Sequence, residues 1–324
     1  MDLSTTYLGL RLPHPLIVGS SPLSDDLDTV KALEDAGAAA IVLRSLYEEE
    51  ITGEQMREFF YTEGHSESNA EAVTYTPDPD LALGLDEYLE HLQRVKQAVR
   101  IPVIASLNAV THSGWTWCAN LLEQAGANAI ELQIFHAASD MATSAADVER
   151  QAVEIVRSVK QCSGIPVAVK LTPMQTAFAN FASKLDGAGA DGLVLFQRFH
   201  HADIDIEELE VVRTLPLSDS SELSLRLRAT AALAGRIRGS LAIAGGVHTA
   251  VDVVKSTMAG ASVTQLVSAL LMHGAGHLRV VLADLEAWMR EHEWESLGEM
   301  RGNMSLGRIP DPAAYERWHT RQYL

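Results

Sequence analysis

Lys170 is the strongest candidate for a reactive residue in this sequence of 324 residues. It follows the apolar run Pro166-Val-Ala-Val, and a cation after such a run needs a partner if it is buried. If the run is a barrel strand, the lysine lies at its C-terminal end and points at a ligand. Two roles fit: a fixed positive charge beside an anionic ligand atom, or a Schiff-base nucleophile. The structural alternative is a surface lysine.

Two stretches further along have the pattern of an anion site. They are Leu241-Ala-Ile-Ala-Gly-Gly-Val-His248 and Ser262-Val-Thr-Gln-Leu-Val-Ser-Ala269, each an apolar run that ends in small residues before a predicted helix. Small residues there leave backbone N–H groups bare, and such groups bind anions. Two such ends on consecutive strand–helix units predict a site for a phosphorylated ligand. We call this site the phosphate grip, and its members are Gly245, Gly246, Ser268 and Ala269.

Arginines lie near the predicted ends of two other strands. Arg44 ends the second strand and Arg198 follows the sixth, and guanidinium groups can hold a carboxylate or a phosphate with two hydrogen bonds. Arg226 and Arg228 are weaker candidates for the same role. The structural alternative is that each arginine pairs with a loop carboxylate, for example one of Glu48–Glu50.

Amides and one histidine complete the candidate set. Gln133 and Gln197 end the fourth and sixth strands and Asn108 follows the third, where an amide could read the edge of a heteroaromatic ring. Buried amides that only tie loops together are equally common. His136, just past the fourth strand, could be a general acid or base, although a lone histidine is more often structural. We predict no metal site, since the pair His200-His201 has no spaced carboxylate or cysteine partner.

The elements that would position these residues alternate between strands and helices. The strands read as continuous apolar runs, which is typical of a parallel sheet buried on both faces. Eight such units predict a (β/α)8 TIM barrel, with a doubly wound open sheet as the competitor. The predicted strands are Leu16–Gly19, Ala40–Arg44, Val103–Leu107, Ala129–Ile134, Val167–Leu171, Gly192–Phe196, Leu241–Ala244 and Val263–Val267.

The connections between these elements carry further signals. Ala-Gly-Ala triplets predict the ends of four helices. Three connections after strands are long, Ser45–Gly84, His136–Ser144 and Arg198–Leu225, and in a barrel they lie at the C-terminal face where active sites form. Whether the first of them is a lid stays open. We expect Trp294–Leu324 to be an extension packed on the barrel or on a partner subunit.

Composition limits the possible partners. The net charge of −18 argues against binding nucleic acid or an anionic membrane. The sequence contains no run of 18 apolar residues, so we expect no membrane span. The two cysteines, Cys118 and Cys162, are too few for a disulfide framework, and the N-terminus has no signal-peptide pattern, which favours the cytoplasm. No linker-like segment divides the chain, so we expect one domain over residues 1–324.

The order and spacing of short motifs over nearly the whole chain resemble the dihydroorotate dehydrogenase family, the FMN-containing barrel flavoenzymes, in a divergent branch. Each motif alone is weak, and the set is specific. The motifs are Leu8-Gly9-Leu10, Pro13-His-Pro15, Gly19-Ser-Ser21, Gly84-Leu-Asp-Glu-Tyr88, Glu131-Leu-Gln133, Val169-Lys-Leu-Thr-Pro173, Gly189-Ala-Asp-Gly-Leu193, Ala244-Gly-Gly-Val247 and Val267-Ser-Ala269.

The resemblance implies FMN as cofactor and a homodimer. Gly19 and Ser20 match the segment that passes the flavin ring, and Lys170 matches the lysine at its electron-rich edge. The phosphate grip matches the backbone that holds the FMN phosphate. Arg44 stands at the family's lysine after the second strand, and Gln133 at its strand-end asparagine, so both join the predicted cofactor site.

On the substrate side the chain departs from the family. The family's active-site Cys or Ser falls on His136, and an asparagine that holds orotate is replaced by Ala138. Gln197, followed by Arg198, replaces another asparagine, and Tyr75–Asp80 stands where a substrate segment is expected. We therefore expect FMN binding with a rebuilt substrate site, for which dihydroorotate is not the best substrate.

Three functions remain open from the sequence. The first is an FMN-dependent dehydrogenase that passes hydride from a small anionic substrate to flavin N5, with His136 as acid or base and Asn108, Gln197 and Arg198 holding the substrate. The second is a barrel lyase or aldolase with Lys170 as Schiff-base nucleophile. The third is a non-catalytic FMN-binding subunit. The chain has no iron–sulfur motif, so an electron-transfer cluster would belong to a separate partner.

Overall fold

Eight parallel strands close into a barrel in this protein. The computed structural model describes residues 1–47, 84–109, 115–134, 140–198, 201–207, 210–214, 216–311, 314, 317, 318 and 321. The barrel strands are β3 (Leu16–Val18), β4 (Ile41–Tyr47), β5 (Val103–Ala109), β6 (Ala129–Ile134), β7 (Val167–Leu171), β8 (Gly192–Leu195), β11 (Ser240–Ala244) and β12 (Val263–Leu266).

The barrel is closed by parallel pairing of β8 with β11 and of β12 with β3. This closure confirms the predicted (β/α)8 barrel and excludes the open sheet. Every predicted strand is present with its bounds shifted by no more than a few residues, because strands buried on both faces give long apolar runs.

Helices surround the barrel. The predicted Ala-Gly-Ala turns each follow a helix, and no helix within the described residues is long and apolar enough to cross a membrane. The helices are α1 (Leu27–Asp35), α2 (Leu85–Ala98), α3 (Trp115–Gln124), α4 (Ala145–Cys162), α5 (Phe178–Gly187), α6 (Leu223–Leu233), α7 (Ala250–Ala259), α8 (Ser268–His273), α9 (His277–Glu291) and α10 (Leu297–Met300).

An N-terminal hairpin packs against the apolar interior of the barrel. Its strands β1 (Thr5–Tyr7) and β2 (Leu10–Leu12) pair antiparallel, and Tyr7, Leu8 and Leu12 belong to the same buried cluster as inward residues of all eight barrel strands. The sequence analysis did not predict this hairpin. The hairpin fills the half of the barrel interior nearer the N-terminal ends of the strands, which we call the lower interior. The buried polar side chains that face the interior lie in the upper interior, nearer the C-terminal ends.

A second hairpin and the C-terminal segment complete the structure. The connection after β8 contains strands β9 (His201–Asp205) and β10 (Glu210–Thr214), which the sequence analysis also missed. The C-terminal extension packs on the barrel, as predicted: Leu297 N donates to Asp2 O at 3.0 Å, and Met304 N donates to Met258 O at 3.0 Å.

Candidate functional site

A buried ionic cluster lies in the upper interior of the barrel. The Lys170 ammonium donates to Glu131 Oε1 at 3.0 Å and to Gln265 Oε1 at 3.1 Å. The Gln265 amide also donates to the second carboxylate oxygen of Glu131. Lys170 is 7% exposed, Glu131 0% and Gln265 1%, which excludes the surface lysine considered from the sequence. A buried cation with a hydrogen-bonded carboxylate partner is held in a fixed place.

The period of two along a strand explains how these side chains meet. Ala168 lies in the apolar interior cluster, so Lys170, two residues on, faces the same way on β7. The same spacing separates Ala129 from Glu131 on β6 and Val263 from Gln265 on β12. The interior therefore changes from apolar to polar toward the C-terminal ends of the strands.

Tyr7 of the hairpin lies below this cluster. Burial raises the pKa of its phenol well above the usual value of 10.0, and the Glu131 carboxylate raises it further. The phenol oxygen is buried and has no hydrogen-bond partner. Tyr7 is therefore neutral, and the charge in the interior is that of the Lys170–Glu131 pair.

A chain of hydroxyl and amide groups lies at the upper ends of β4, β5 and β6. Gln133 Nε2 donates to Ser45 Oγ at 2.8 Å, and Ser45 Oγ lies 2.7 Å from Ser106 Oγ and 3.1 Å from Ser20 Oγ. The Tyr88 hydroxyl closes the chain by donating to Ser106 O at 3.2 Å. Each group has partners, so the orientation of the Gln133 amide is fixed. We call Ser20, Ser45, Ser106, Tyr88 and Gln133 together the hydroxyl chain.

A register shift puts Ser45 rather than Arg44 into the hydroxyl chain. Val42 pairs with Ile104, but Ser45 pairs with Ser106, so β4 contains one residue more than β5 over this interval. The Arg44 guanidinium is 34% exposed and pairs with Asp25 Oδ2 at 3.3 Å. Neither a single serine in a strand nor a bulge produces a recognisable pattern of residue spacing, so the sequence analysis missed Ser45 and Ser106.

Asn108 lies beside the hydroxyl chain. It is 4% exposed, and in the β5–β6 register it is paired with Gln133. The structure thus brings together Asn108, Gln133 and Ser20, three of the residues predicted to face a ligand. They come from the C-terminal ends of different strands, where barrel enzymes build their sites.

The phosphate grip is bridged by a residue that the sequence analysis did not single out. Ser218 Oγ accepts from Gly246 N at 3.2 Å, and Ser218 N donates to Ser268 Oγ at 3.0 Å. Ser218 is 1% exposed and lies in the long connection before α6. The one sequence feature that could have pointed to Ser218 is its position in that long connection.

Both glycines of the grip are required by their surroundings. Gly245 and Gly246 have φ of 83° and 75°, in the left-handed region where a Cβ is unfavourable. A Cβ on Gly245 would lie 2.7 Å from Arg226 Nη2, and one on Gly246 would lie 2.7 Å from Leu223 N. The first turn of α6 therefore lies directly against the grip.

His248 extends the grip with a titratable group. Its Nε2 lies 3.3 Å from Ser218 Oγ. Burial lowers the pKa of His248 below its usual 6.5, while the nearby carboxylates of Asp252 and Asp219 partly oppose this shift. The imidazole is thus predominantly neutral near pH 7.

The two arginines after β8 share one carboxylate. Arg198 Nη2 lies 2.9 Å from Glu222 Oε1, and Arg226 Nη2 lies 3.5 Å from Glu222 Oε2. Together with the Arg44–Asp25 pair, this matches the structural alternative, in which each arginine pairs with a loop carboxylate. Asp25 lies 19 residues from Arg44 and Glu222 lies 24 residues from Arg198, so sequence spacing did not identify these two pairs. Glu222 and Arg226 are an i,i+4 pair, whose helical spacing was available in the sequence.

The residues at the mouth fit FMN. Gln197 carries a buried amide oxygen without a hydrogen-bond partner, which a ligand donor could satisfy. A Cβ on Gly19 would lie 2.9 Å from Val267 Cγ2, so the chain passes close to the end of β12. With the fixed Lys170 cation and the glycine turns of the grip, the donor set suits a planar ring that carries a phosphate.

Some predicted features lie outside the described residues. They are His136, Ala138, the segment Tyr75–Asp80 and most of the Ser45–Gly84 connection. Within the described parts of the chain, no group of three His, Cys, Asp or Glu side chains could hold a metal ion.

Comparison with known proteins gives a consistent set of relatives. The profile of the family described as dihydroorotate dehydrogenase matches residues 2–289. The catalytic subunit of dihydroorotate dehydrogenase B (NAD(+)) from Thermoplasma volcanium is 28% identical over 306 residues, covering 93% of this chain and 98% of the relative. A putative dihydroorotate dehydrogenase A (fumarate) from Aeropyrum pernix is 27% identical, covering 93% and 97%. The chloroplastic dihydropyrimidine dehydrogenase (NADP(+)) of Arabidopsis thaliana is 22% identical, covering 93% and 76%.

Proposed function

This chain belongs to the dihydroorotate dehydrogenase family, and we propose that it is an FMN-dependent dehydrogenase that oxidises a CH–CH bond of a small anionic substrate. The family match confirms the resemblance inferred from the motifs, and the relatives are dehydrogenases. The observation that carries the proposal is the buried Lys170–Glu131–Gln265 cluster at the upper end of the barrel.

Lys170 is proposed to hold positive charge beside the flavin ring. When bound, FMN supplies a hydride acceptor at N5 and gains negative charge on reduction. A cation held in place by Glu131 and Gln265 stabilises that charge without having to reorganise. Gly19, Ser20 and Gln133 are proposed to contact the ring, and the hydroxyl chain holds the Gln133 amide in one orientation.

The phosphate grip is proposed to bind the FMN phosphate. In the present arrangement the Ser218 hydroxyl accepts from Gly246 N–H and the Ser268 hydroxyl accepts from Ser218 N–H. A phosphate would take the Gly246 N–H, and Ser218 would then donate its hydroxyl to a phosphate oxygen. The Ala269 N–H at the start of α8 is proposed as a second backbone donor, and Arg44, which pairs with Asp25, as a further cofactor contact.

The substrate is proposed to lie between the flavin and the ends of β5 and β8. Asn108, Gln197 and Arg198 are the candidate contacts, and the unpaired Gln197 oxygen suits a substrate N–H donor. His136 is the candidate proton acceptor. Since these residues differ from the family pattern, we propose that dihydroorotate is a poor substrate and that a related small anion is preferred.

Lys170 is better suited to holding charge than to forming a Schiff base. A nucleophilic lysine must present an uncharged amine, whereas this nitrogen donates to a Glu131 carboxylate oxygen and to Gln265. Several relatives are named as catalytic subunits, so we propose that a separate subunit passes electrons onward. A homodimer and a cytoplasmic location are proposed from the family resemblance and the composition.

An anaerobic substrate screen tests the proposed function. FMN-loaded protein is mixed with dihydroorotate, dihydropyrimidines and other small anions while the loss of oxidised-flavin absorption is followed. We expect fast bleaching with at least one compound and slow bleaching with dihydroorotate. Bleaching by dithionite but by no organic compound would support the non-catalytic subunit instead. A colourless protein whose Lys170 is trapped by borohydride with a carbonyl compound would support the lyase.

A further inference from the structure

The N-terminal end of the barrel has a cavity of its own, away from the proposed FMN site. Its volume is about 410 Å³, and it lies where β11 begins, before β12 begins, and under the C-terminal extension. Ser240 opens β11 and Ser262 precedes β12, whereas Gly246 and Ser268 follow the opposite ends of the same strands. The cavity and the phosphate grip are therefore separated by the length of two strands.

The charge of this cavity is unusual for the protein. Two arginines, Arg236 and Arg301, are among its lining residues, and no Asp or Glu is among the described residues that line it. The whole chain has 43 acidic and 25 basic residues. Neither arginine takes part in an ion pair within the described part of the structure, while Arg238, only two residues from Arg236, pairs with Asp186 at 3.2 Å.

Arg301 lacks compensation for its partial burial. One terminal nitrogen donates to Thr5 Oγ1 at 2.5 Å, but its Nε is buried and has no hydrogen-bond partner. Burial lowers the pKa of Arg301, and no carboxylate opposes this effect. A partly buried guanidinium without a carboxylate partner is costly, and an anion in the adjoining cavity would compensate its charge.

The remaining lining indicates the class of ligand. Glycines make up much of it, including Gly302 and Gly307, which let a ligand approach the backbone closely. Ser240, Ser262 and Ser305 add hydroxyl-bearing residues to the lining. A tetrahedral phosphate can accept hydrogen bonds from donors on several sides, whereas a carboxylate accepts mainly in one plane. The volume exceeds what one phosphate ion needs and falls in the range of small-molecule sites.

We propose that this cavity is a second anion site, which binds a small phosphate-bearing metabolite through Arg236 and Arg301. Arg301 belongs to the C-terminal extension and Arg236 to the turn after α6, so the ligand ties the extension to the barrel. Because the ligand binds the folded protein, it raises the thermal stability of the chain.

Calorimetric titration with inorganic pyrophosphate, in the presence of saturating FMN to occupy the phosphate grip, tests this site. We expect one saturable site per chain in the wild type. Arg236→Ala should weaken binding at least about tenfold, since it removes one charge-assisted contact from an exposed turn. Arg238→Ala is the matched control and should leave the affinity within about twofold, because that arginine faces Asp186 instead of the cavity. Arg301→Gln should abolish binding.

Four outcomes would overturn the proposal. They are no saturable binding in the wild type, an equal loss in Arg236→Ala and Arg238→Ala, and malonate binding as tightly as pyrophosphate. The fourth is loss of pyrophosphate binding in Gly246→Ala, which would place the site at the phosphate grip. If Arg301→Gln does not fold, Arg236→Ala alone decides, because its side chain is exposed and lies outside the core.

Discussion

The two sides of the barrel mouth hold their polar groups by different means. At the ends of β11 and β12, backbone turns at Gly245 and Gly246 form the phosphate grip, and the first turn of α6 leaves no room for a Cβ there. At the ends of β4, β5 and β6, side chains do the work through the hydroxyl chain around Ser45. The Lys170–Glu131–Gln265 cluster connects β6, β7 and β12, and so joins the two sides.

This difference separates what is retained from what has changed. A backbone grip tolerates little substitution, so it keeps its ligand, here the proposed FMN phosphate. A side-chain site can be altered one residue at a time, and each altered amide or hydroxyl changes which substrate is accepted. We therefore propose that the grip keeps the family's phosphate contact, whereas the hydroxyl chain, in which Gln133 stands at the family's asparagine, is the side that has changed. FMN and riboflavin, which lacks the phosphate, can test the two sides separately.

Replacing Lys170 should have the largest effect. Lys170→Met removes the cation that would stabilise reduced flavin, and we expect substrate-dependent flavin reduction to slow about 10²–10³-fold. It also leaves the Glu131 carboxylate buried without a cationic partner, which should lower the unfolding free energy by about 3–5 kcal/mol. Stopped-flow absorbance and denaturant unfolding measure the two effects.

The double variant Lys170→Met/Glu131→Gln is the control for charge burial. It removes both charges, so most of the stability should return while the reduction rate stays low. If the rate recovers together with the stability, Lys170 is only a structural cation.

Blocking the phosphate grip should have the next largest effect. Gly246→Ala places a Cβ 2.7 Å from Leu223 N at a φ of 75°, and we expect FMN affinity to fall about 100-fold. Riboflavin affinity should change little, since it carries no phosphate. Gly9→Ala is the matched control, because Gly9 has the same φ and open space around it. Equal losses for FMN and riboflavin would contradict a phosphate role for the grip.

Two serine variants should separate the sides more finely. Ser218→Ala should weaken FMN about tenfold and spare riboflavin, because Ser218 bridges the grip. Ser45→Ala should weaken both flavins by a similar, smaller factor, since it frees the Gln133 amide. Fluorescence titration gives the affinity ratios. The comparison of the two sides fails if both variants change the FMN-to-riboflavin ratio equally.

The smallest expected effect is a pH dependence of FMN affinity. The His248 pKa lies below its usual 6.5 in the free protein, so the imidazole is mostly neutral at pH 7. A bound phosphate dianion favours the protonated form of His248 and raises its pKa, so by linkage protonation of His248 strengthens dianion binding by about two- to threefold over the pH range between the free and the bound pKa. NMR titration of the imidazole checks this.

His14 serves as the internal control for that titration. Burial also lowers its pKa, but it precedes β3 at the N-terminal end of the barrel, away from the grip. FMN should leave its titration unchanged. A flavin-dependent shift at His14 as large as that at His248 would indicate a global change of structure instead of a local phosphate.

The fold was predictable to a greater extent than the site. Continuous apolar runs identified all eight barrel strands, and Lys170 stood out because it interrupts such a run. The hairpin β1–β2 was missed because its strands have three residues each. A bulge in β4 places Ser45 in the hydroxyl chain, and Ser218 contacts the grip from within a long connection. Neither position follows the periodic spacing by which a buried strand or helix face is predicted. Contacts made by single hydroxyls across distant segments depend on the folded geometry.

The most direct test of the account is the flavin content of the purified protein after incubation with FMN and removal of unbound flavin. The account predicts one FMN per chain in the wild type, a large loss in Gly246→Ala, and retention in Gly9→Ala. A wild-type protein that retains no FMN, or a Gly246→Ala protein that retains as much as the wild type, would contradict it.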